Sequence, residues 1–597
     1  MVNCCAAFSI PSFPGAEGYG AIATGGRGGE VRKVTNLLDY AKGQTPIQGS
    51  FRWAVTGNSP KIVVFDVSGI IRVTWGLQIG DNTTIAGQTS PAGITLYNWP
   101  HDEHPVPRSG VNGELIFGTN NIIRHLRVRG SPWEGHCIQG TFVQKIIIDH
   151  VSCSWAGDET VSFWQDCVDI THQWCTFEES MGYWHGEGWH NDGPMINTMP
   201  GAGTPSGNYS VHHCLMTHHH NRCPRIAIGC NFYSDCRNNL NYNASGVLLD
   251  NQLLYPSGGA HNVVNNYMKK GVNIGSKALW IEFISEKAAE DSADCPISVY
   301  MAGNYADAKP NATQLEMTKV WHPREYGVPK FLADELPTPH VTTHATGEVY
   351  DLILEKAGAF PRDSTTRRTI HEVKTGTGSF VMPDTAEYRK WTKIPSTKIT
   401  EAYFTYPLNQ INLFGEKHFY VNDPNDLSLE YPDSAAKTDS DNDGMPDAWE
   451  SANGLNSGDA ADANGTSLSN VFTGVEGYTN IEVYINALAE SLVTVPWDPP
   501  ARIPVLSKYE SGSFNVTACP NPFSGRIVFV PQNSSQMPRK YFLNIYDVKG
   551  NLVKNINTSM VWDGLDNNGK MMAAGAYYYR LEANGNVLKN DKILKTR

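Results

Sequence analysis

A short run of β-branched residues recurs along residues 60–310, and this recurrence limits the fold more than any other feature. Its members are Lys61-Ile-Val-Val-Phe-Asp, Asn121-Ile-Ile-Arg-His-Leu-Arg-Val, Ile146-Ile-Ile-Asp-His-Val-Ser-Cys and Val168-Asp-Ile-Thr-His-Gln-Trp-Cys. Later members begin at Tyr209, Phe232, Asn262 and Val299. His150 and His172 stand 22 residues apart, as do Cys153 and Cys175, while His125 and His150 are 25 apart. No helical periodicity intervenes. Equivalent residues at such intervals predict an all-β chain built as a parallel β-helix, each coil burying its apolar face on the next. A β-sandwich fits a near-fixed period with drifting loop length less well. Residues in the same position, Cys and Asn among them, are then expected to stack in ladders. Variable stretches such as 178–208 become loops on one side, where solenoids build binding clefts.

Composition narrows the function. With 47 basic against 60 acidic residues the net charge is −13, which disfavours nucleic acid as a partner. No apolar run approaches the roughly 18 residues of a membrane helix. At 597 residues several domains are expected, and 55 glycines with 35 prolines fit many turns. Eight of the 12 cysteines crowd between Cys137 and Cys236, and they read as buried apolar thiols rather than a disulfide scaffold. The segments divide as a β-helix over 11–430 (core coils about 60–310), an Asp-rich calcium module over 436–495, a Pro-rich linker over 496–513 and a final β-sandwich over 514–597.

Within the Asp-rich module, residues 439–450 fit D-x-D-x-D-G-x5-E without a gap. Asp439, Asp441 and Asp443 take positions 1, 3 and 5, and Gly444 makes the turn. Met445 offers its carbonyl, Asp447 stands at position 9, and Glu450 closes as a bidentate ligand. The pattern predicts structural Ca2+.

Several motifs carry a family resemblance. Phe13-Pro-Gly-Ala-Glu-Gly-Tyr-Gly-Ala and Gly25-Gly-Arg-Gly-Gly resemble the opening of bacterial pectate lyases of the right-handed parallel β-helix type, which implies that handedness here. Ile147-Ile-Asp-His, then Ser152-Cys-Ser-Trp-Ala-Gly-Asp-Glu, resembles their Asp-His segment and the acids after it. His212-His-Cys-Leu-Met-Thr-His-His-His-Asn-Arg-Cys-Pro-Arg225 resembles the segment of their catalytic arginine. The resemblance implies β-elimination on a uronate polymer, in which a base takes the C5 proton and the C4–O bond breaks. It makes Arg222 the base. Arg225 is an approximate substitute for a carboxylate-binding arginine that the family carries at the position of Ala227, and His219, Trp155 and Trp189 become substrate contacts. It implies a cleft Ca2+ on Glu134 and Asp158, with His136 standing where the family has a second acid. Ser162 replaces another expected acid, and a family lysine near Glu187 is absent. Pectate is the first substrate reading; methylated pectin cleaved without calcium, across a cleft lined by tryptophans, and another uronate polymer follow. Two other classes stay open: a non-catalytic glycan binder, and a glycoside hydrolase using Asp158, Glu159 and Glu187.

From Phe514 short strands alternate with turns, as in an immunoglobulin-like sandwich. Pro520-Asn-Pro-Phe, Trp562-Asp-Gly-Leu-Asp-Asn-Asn-Gly and Gly575-Ala-Tyr-Tyr-Tyr resemble the sorting domain of type IX secretion; a carbohydrate-binding module is the alternative. The resemblance implies a monomer exported or tethered at the cell surface, with a signal peptide absent from this chain. Its partners are the secretion machinery and an acidic plant or algal polysaccharide.

Overall fold

The computed structural model describes residues 10–73, 75–98, 115–130, 135–156, 158–180, 183–185, 188–197, 206–251, 258–273, 281–285, 297–321, 329–378 and 436–494. Further on it describes 516–519, 521, 523–531, 542–547, 552–556, 561–583 and 586–596. The chain forms two compact units, Met1–Pro499 and Pro500–Arg597.

Three parallel sheets of 11, 9 and 9 strands wind through the first unit, with each coil contributing one strand to each sheet over most of its length. All eight β-branched runs of the sequence fall in the 11-stranded first sheet, among them Lys61–Phe65, Gln144–Asp149 and Val168–Gln173. The reason is burial on both faces. Val63, Phe65, Ile85, Ile123, Ile146 and Ile148 point into the coil core, while Ile62, Val64, Ala86, Ile122 and Ile147 face out and are covered as well. Strands buried on both sides read as continuous apolar runs rather than alternating ones. Each such Ile or Val contributes about 1.5–3 kcal/mol by leaving water.

The register corrects one expectation. Ile146 pairs with Ile170 and Ile148 with His172, so His150 is matched by Trp174 and Cys153 by Phe177. The predicted His150–His172 and Cys153–Cys175 equivalences are therefore each two residues out. A two-residue slip keeps every side chain on its own face, so the in–out pattern cannot expose it. The 25-residue step from His125 to His150 holds, and the two rings stack at 4.9 Å. Trp174 and His213 continue that column at the same coil corner, and all four residues adopt positive φ. An asparagine ladder runs inside a nearby corner: Asn266 accepts from Asn239, and Asn304 from Asn266. Seven of the crowded cysteines are buried and free, as expected, but Cys230 is in a disulfide whose partner lies outside the described residues.

Two further segments dress the coils. The glycine-rich segment near the N-terminus lies across the outer face of the first sheet. A Cβ on Gly20 would sit 2.1 Å from the Ile146 carbonyl oxygen, and one on Gly26 would sit 1.9 Å from that of Lys61. Only glycine allows so close an approach. Helices α1 (Thr346–Lys356) and α2 (Ser364–Thr375) cover the third sheet, burying Val349, Ile353 and Val373 against Leu215, Leu240 and Tyr242. Asp363 caps α2 and pairs with Arg129 at 2.5 Å. Helices α3 (Asp447–Asn453) and α4 (Asn480–Thr494) also belong to this first unit, and residues of α4 pack on Ile62, Val64 and Ala86.

The second unit contains an antiparallel three-stranded and a four-stranded sheet. They share an apolar core that includes Phe529, Leu543, Ile545, Trp562 and Tyr579, an immunoglobulin-like arrangement. Among the described residues no helix is long and apolar enough to cross a membrane.

Candidate active site

The second sheet carries four successive strands that set the site: β1 (Ile138–Gly140), β2 (Val161–Trp164), β3 (Met195–Asn197) and β4 (Arg225–Ala227). Ile138 is level with Val161, Ser162 with Met195, and Met195 with Arg225. Reading a few residues back from each strand gives His136, Glu159, Asp192 and Arg222. Bridges between Glu159 and Asp192, and between Asp192 and Asn221, continue the stacking there. Backbone bonds hold the coils level: Asp158 N–H donates to Gly135 O, Thr160 N–H to Asp192 O and Gly193 N–H to Asn221 O. A Cβ on Gly193 would lie 2.2 Å from the Arg222 carbonyl oxygen, so glycine lets these two coils touch.

One basic and three acidic side chains meet at this column. The Arg222 Nη1 atom lies 3.1 Å from Asp192, 3.9 Å from Asp158 and directly against Glu159. His136 Nδ1 is 3.0 Å from the other oxygen of Glu159. Glu159 and Asp192 are almost wholly buried, whereas Arg222, Asp158 and His136 keep a little exposure. Ligand atoms of His136, Asp158 and Glu159 lie within 4.8 Å of one another. Asp158 and Glu159 offer up to four oxygens, which fit a hard cation such as Ca2+; the His136 nitrogen in the same group suits it less, and Asp192 is joined to the group through Arg222.

Arg222, Asp158 and His136 are thus brought together, and Glu134 lies outside the described residues. Glu159 entered the sequence reading only as a hydrolase acid, and Asp192 did not enter it at all. Both would have emerged from counting back from the start of each second-sheet strand. Arg225 opens β4, three residues on from Arg222. His219 is fully buried, and its Nε2 bonds to the Phe177 carbonyl at 3.0 Å. Burial lowers its pKa to about 3. Trp155 is also buried, packed edge-on to Tyr97 with its indole N–H on Glu179. Both side chains are therefore buried packing groups rather than exposed substrate contacts, Trp155 lying among Tyr97, Arg129 and Glu179. Trp189 lies opposite Trp184 in a small antiparallel pair, Tyr183–His185 with Gly188–His190, and its side chain lies outside the described residues, as does Glu187.

The Asp-rich loop gathers Asp439, Asp441 and Asp443, with Asp443 also beside Glu450. Burial, then the charge of neighbouring acids, raises Asp443 and Glu450 to about 7. The Met445 side chain is buried with Ile481 and Tyr484. Asp447 departs from its expected role: both its oxygens accept from Ser440, at 2.7 Å each.

Comparison with known proteins bears on each unit. Residues 531–586 match the FlgD Ig-like domain. A protein named probable pectate lyase C from Aspergillus flavus is 28% identical over 499 residues, covering 81% of this chain and 95% of that protein. Its counterpart from Emericella nidulans is 38% identical over 175 residues, 28% of this chain and 37% of the relative. Among solved structures, the major allergen from cedar pollen aligns at 14% identity and TM-score 0.38 over 58% of this chain and 92% of its own. A Bacillus subtilis pectate lyase variant gives 14% and 0.38 over 59% and 99%.

Proposed function

We propose that this chain, a polysaccharide lyase of the pectate lyase type, cleaves a uronate polymer by β-elimination, with pectate as the first substrate and Arg222 at the reacting carbon. The observation that carries the reading is the column of Asp158, Glu159, Asp192 and Arg222 on three successive coils. Similarity to proteins named pectate lyase over four-fifths of the chain supports it.

The C5 proton of a uronate is hard to remove because its loss adds negative charge next to a carboxylate. Calcium, when held by Asp158 and Glu159, would supply the positive charge such a transition state needs. Arg222 lies beside these acids, and they favour its charged form. In that form it binds and orients the substrate carboxylate; to take the C5 proton it must first be released from its acidic partners. Asp158 and Glu159 meet one guanidinium, an arrangement that favours two ionised acids rather than the protonated acid and base of a hydrolase.

Incubation with polygalacturonate and with methylated pectin, each with and without chelator, tests this. Ultraviolet absorbance from an unsaturated product on pectate, lost with chelator, is expected. Activity on methylated pectin that survives chelator would select the calcium-independent reading. Reducing ends without that absorbance would select hydrolysis, and no product with retained polymer binding would select a glycan binder.

The same reading makes the chain extracellular and the immunoglobulin-like unit its address for type IX secretion. Removing 514–597 in a host with that machinery should keep the protein inside the cell. Unchanged export, with weaker polysaccharide binding, would instead make the unit a carbohydrate-binding module.

A further inference from the structure

Away from the cleft, a second set of acids is arranged around a common point, and one of its members lies outside the loop motif. Ligand atoms of Asp439, Asp441 and Asp443 lie within 4.8 Å of one another, and so do those of Asp443, Glu450 and Asp462. Each aspartate spends one oxygen on shaping the backbone. Asp439 Oδ2 accepts from Gly444 N–H, Asp441 Oδ1 from Asp443 N–H, Asp443 Oδ1 from Met445 N–H and Asp462 Oδ2 from Asn456 N–H. Among the described residues, the remaining oxygens, Asp439 Oδ1, Asp441 Oδ2, Asp443 Oδ2 and Asp462 Oδ1, have no hydrogen-bond partner, nor has either oxygen of Glu450. Glu450 is 0% exposed and Asp443 is 2% exposed. A buried carboxylate with neither oxygen bonded is costly unless a cation meets it. The unmatched oxygens number six, the lower end of what Ca2+ takes up. Among the described residues, Lys33 is the one base bonded to the group; it reaches only Asp439 and is shared with Asp66.

The loop is also seated on the β-helix. A Cβ on Gly444 (φ 93°) would lie 2.9 Å from Val31 and 3.3 Å from both Val64 and Ile481. Met445 and Ala463 share one apolar cluster with Ile62, Val64, Ile481 and Tyr484. Repulsion among these five acids would therefore pull directly on the contact between α4 and the first sheet.

We propose that Asp439, Asp441, Asp443, Glu450 and Asp462 bind one Ca2+, that Asp462 rather than Asp447 completes the site, and that the ion holds α4 on the first coils of the β-helix. Three measurements on the full chain test this. Calcium titration by calorimetry, with terbium luminescence excited through tryptophan as a second readout, compares Asp462→Asn with Asp447→Asn. Asp462→Asn should weaken the loop's affinity by about tenfold or more, while Asp447→Asn should leave it close to wild type. The reverse order would overturn the assignment of Asp462. Hydrogen exchange on the wild-type chain then compares calcium with chelator. Amides of Asn480–Thr494 and Lys61–Phe65 should exchange faster without calcium; equal exchange would overturn the coupling. This last arm decides the coupling even where Asp462→Asn does not accumulate as folded protein. Cleft binding is separated by repeating the titration in Asp158→Asn, where loss of all calcium binding would refute a second site.

Discussion

Replacing Arg222 by alanine is the obvious test of the cleft, and the structure says that it does two things at once. The guanidinium lies 3.1 Å from Asp192 and against Glu159, both nearly without solvent. One unit-charge pair at 3.1 Å amounts to roughly 5 kcal/mol at an effective dielectric near 20. Breaking a buried pair by deleting one partner costs about 3–5 kcal/mol, because the other charge is stranded. Arg222→Ala should therefore lose lyase activity and also lower the melting temperature by several degrees. With their counter-ion gone, Asp158, Glu159 and Asp192 become a better cation site, so calcium should restore part of the loss. At a hundredfold excess over Kd that recovery is about 2.7 kcal/mol. Arg222→Lys keeps the charge but not the planar fork, so it should recover stability well and activity poorly. The assay is calorimetric melting with calcium and with chelator, beside unsaturated-product formation. Wild-type activity together with an unchanged melting temperature in Arg222→Ala would refute both roles assigned to this residue.

Other predictions probe the scaffold. Burial opposes the charge on Asp363, but Arg129 and Arg127 outweigh it and hold the carboxyl at about 2. A depressed carboxyl stabilises above its unfolded pKa and stops doing so as pH falls through the folded one. Asp363→Asn should thus cost about 2 kcal/mol at neutral pH, with the difference from wild type fading between pH 4 and 2 in acid melts. Gly20→Ala puts a methyl group into the Ile146 carbonyl and should cost about 1–3 kcal/mol in a denaturant melt, with proteolysis near the N-terminus accelerated. Trp155→Phe should leave KM for polymer unchanged, since the ring is buried; a large rise in KM would restore it as a stacking platform.

The β-helix was legible because strands covered on both faces must be apolar throughout, and such runs stand out at a steady interval. Register was not, because moving by two residues preserves the inward and outward sets, as the His150–Trp174 match shows. The cleft was half legible. Asp158 and Arg222 sit in recognisable local motifs, but Glu159 and Asp192 are joined only by coil geometry across an inserted loop of unequal length. Tryptophan content misled: Trp155 and Trp174 fill coil corners, because a positive-φ corner stacked on its neighbours accepts flat rings as readily as a binding surface does. Asp462 was invisible to the loop pattern, since it enters from a different turn of chain.

The meeting of residues 10–29 with 480–494 over one sheet, sealed by Arg27 on Glu482, has a kinetic consequence. A solenoid made on a ribosome, or threaded through a secretion pore, can in principle complete itself coil by coil from its first residue. This one cannot. The outward row of Ile62, Val64 and Ala86 stays bare until Met445, Ala463 and then Ile481–Ile485 have emerged, more than 350 residues after Ala86, so the earliest coils are the last to be finished. During that interval the nascent chain exposes a flat, apolar sheet face. Its survival then depends on how fast the distant helix arrives, or on a chaperone that stands in for it.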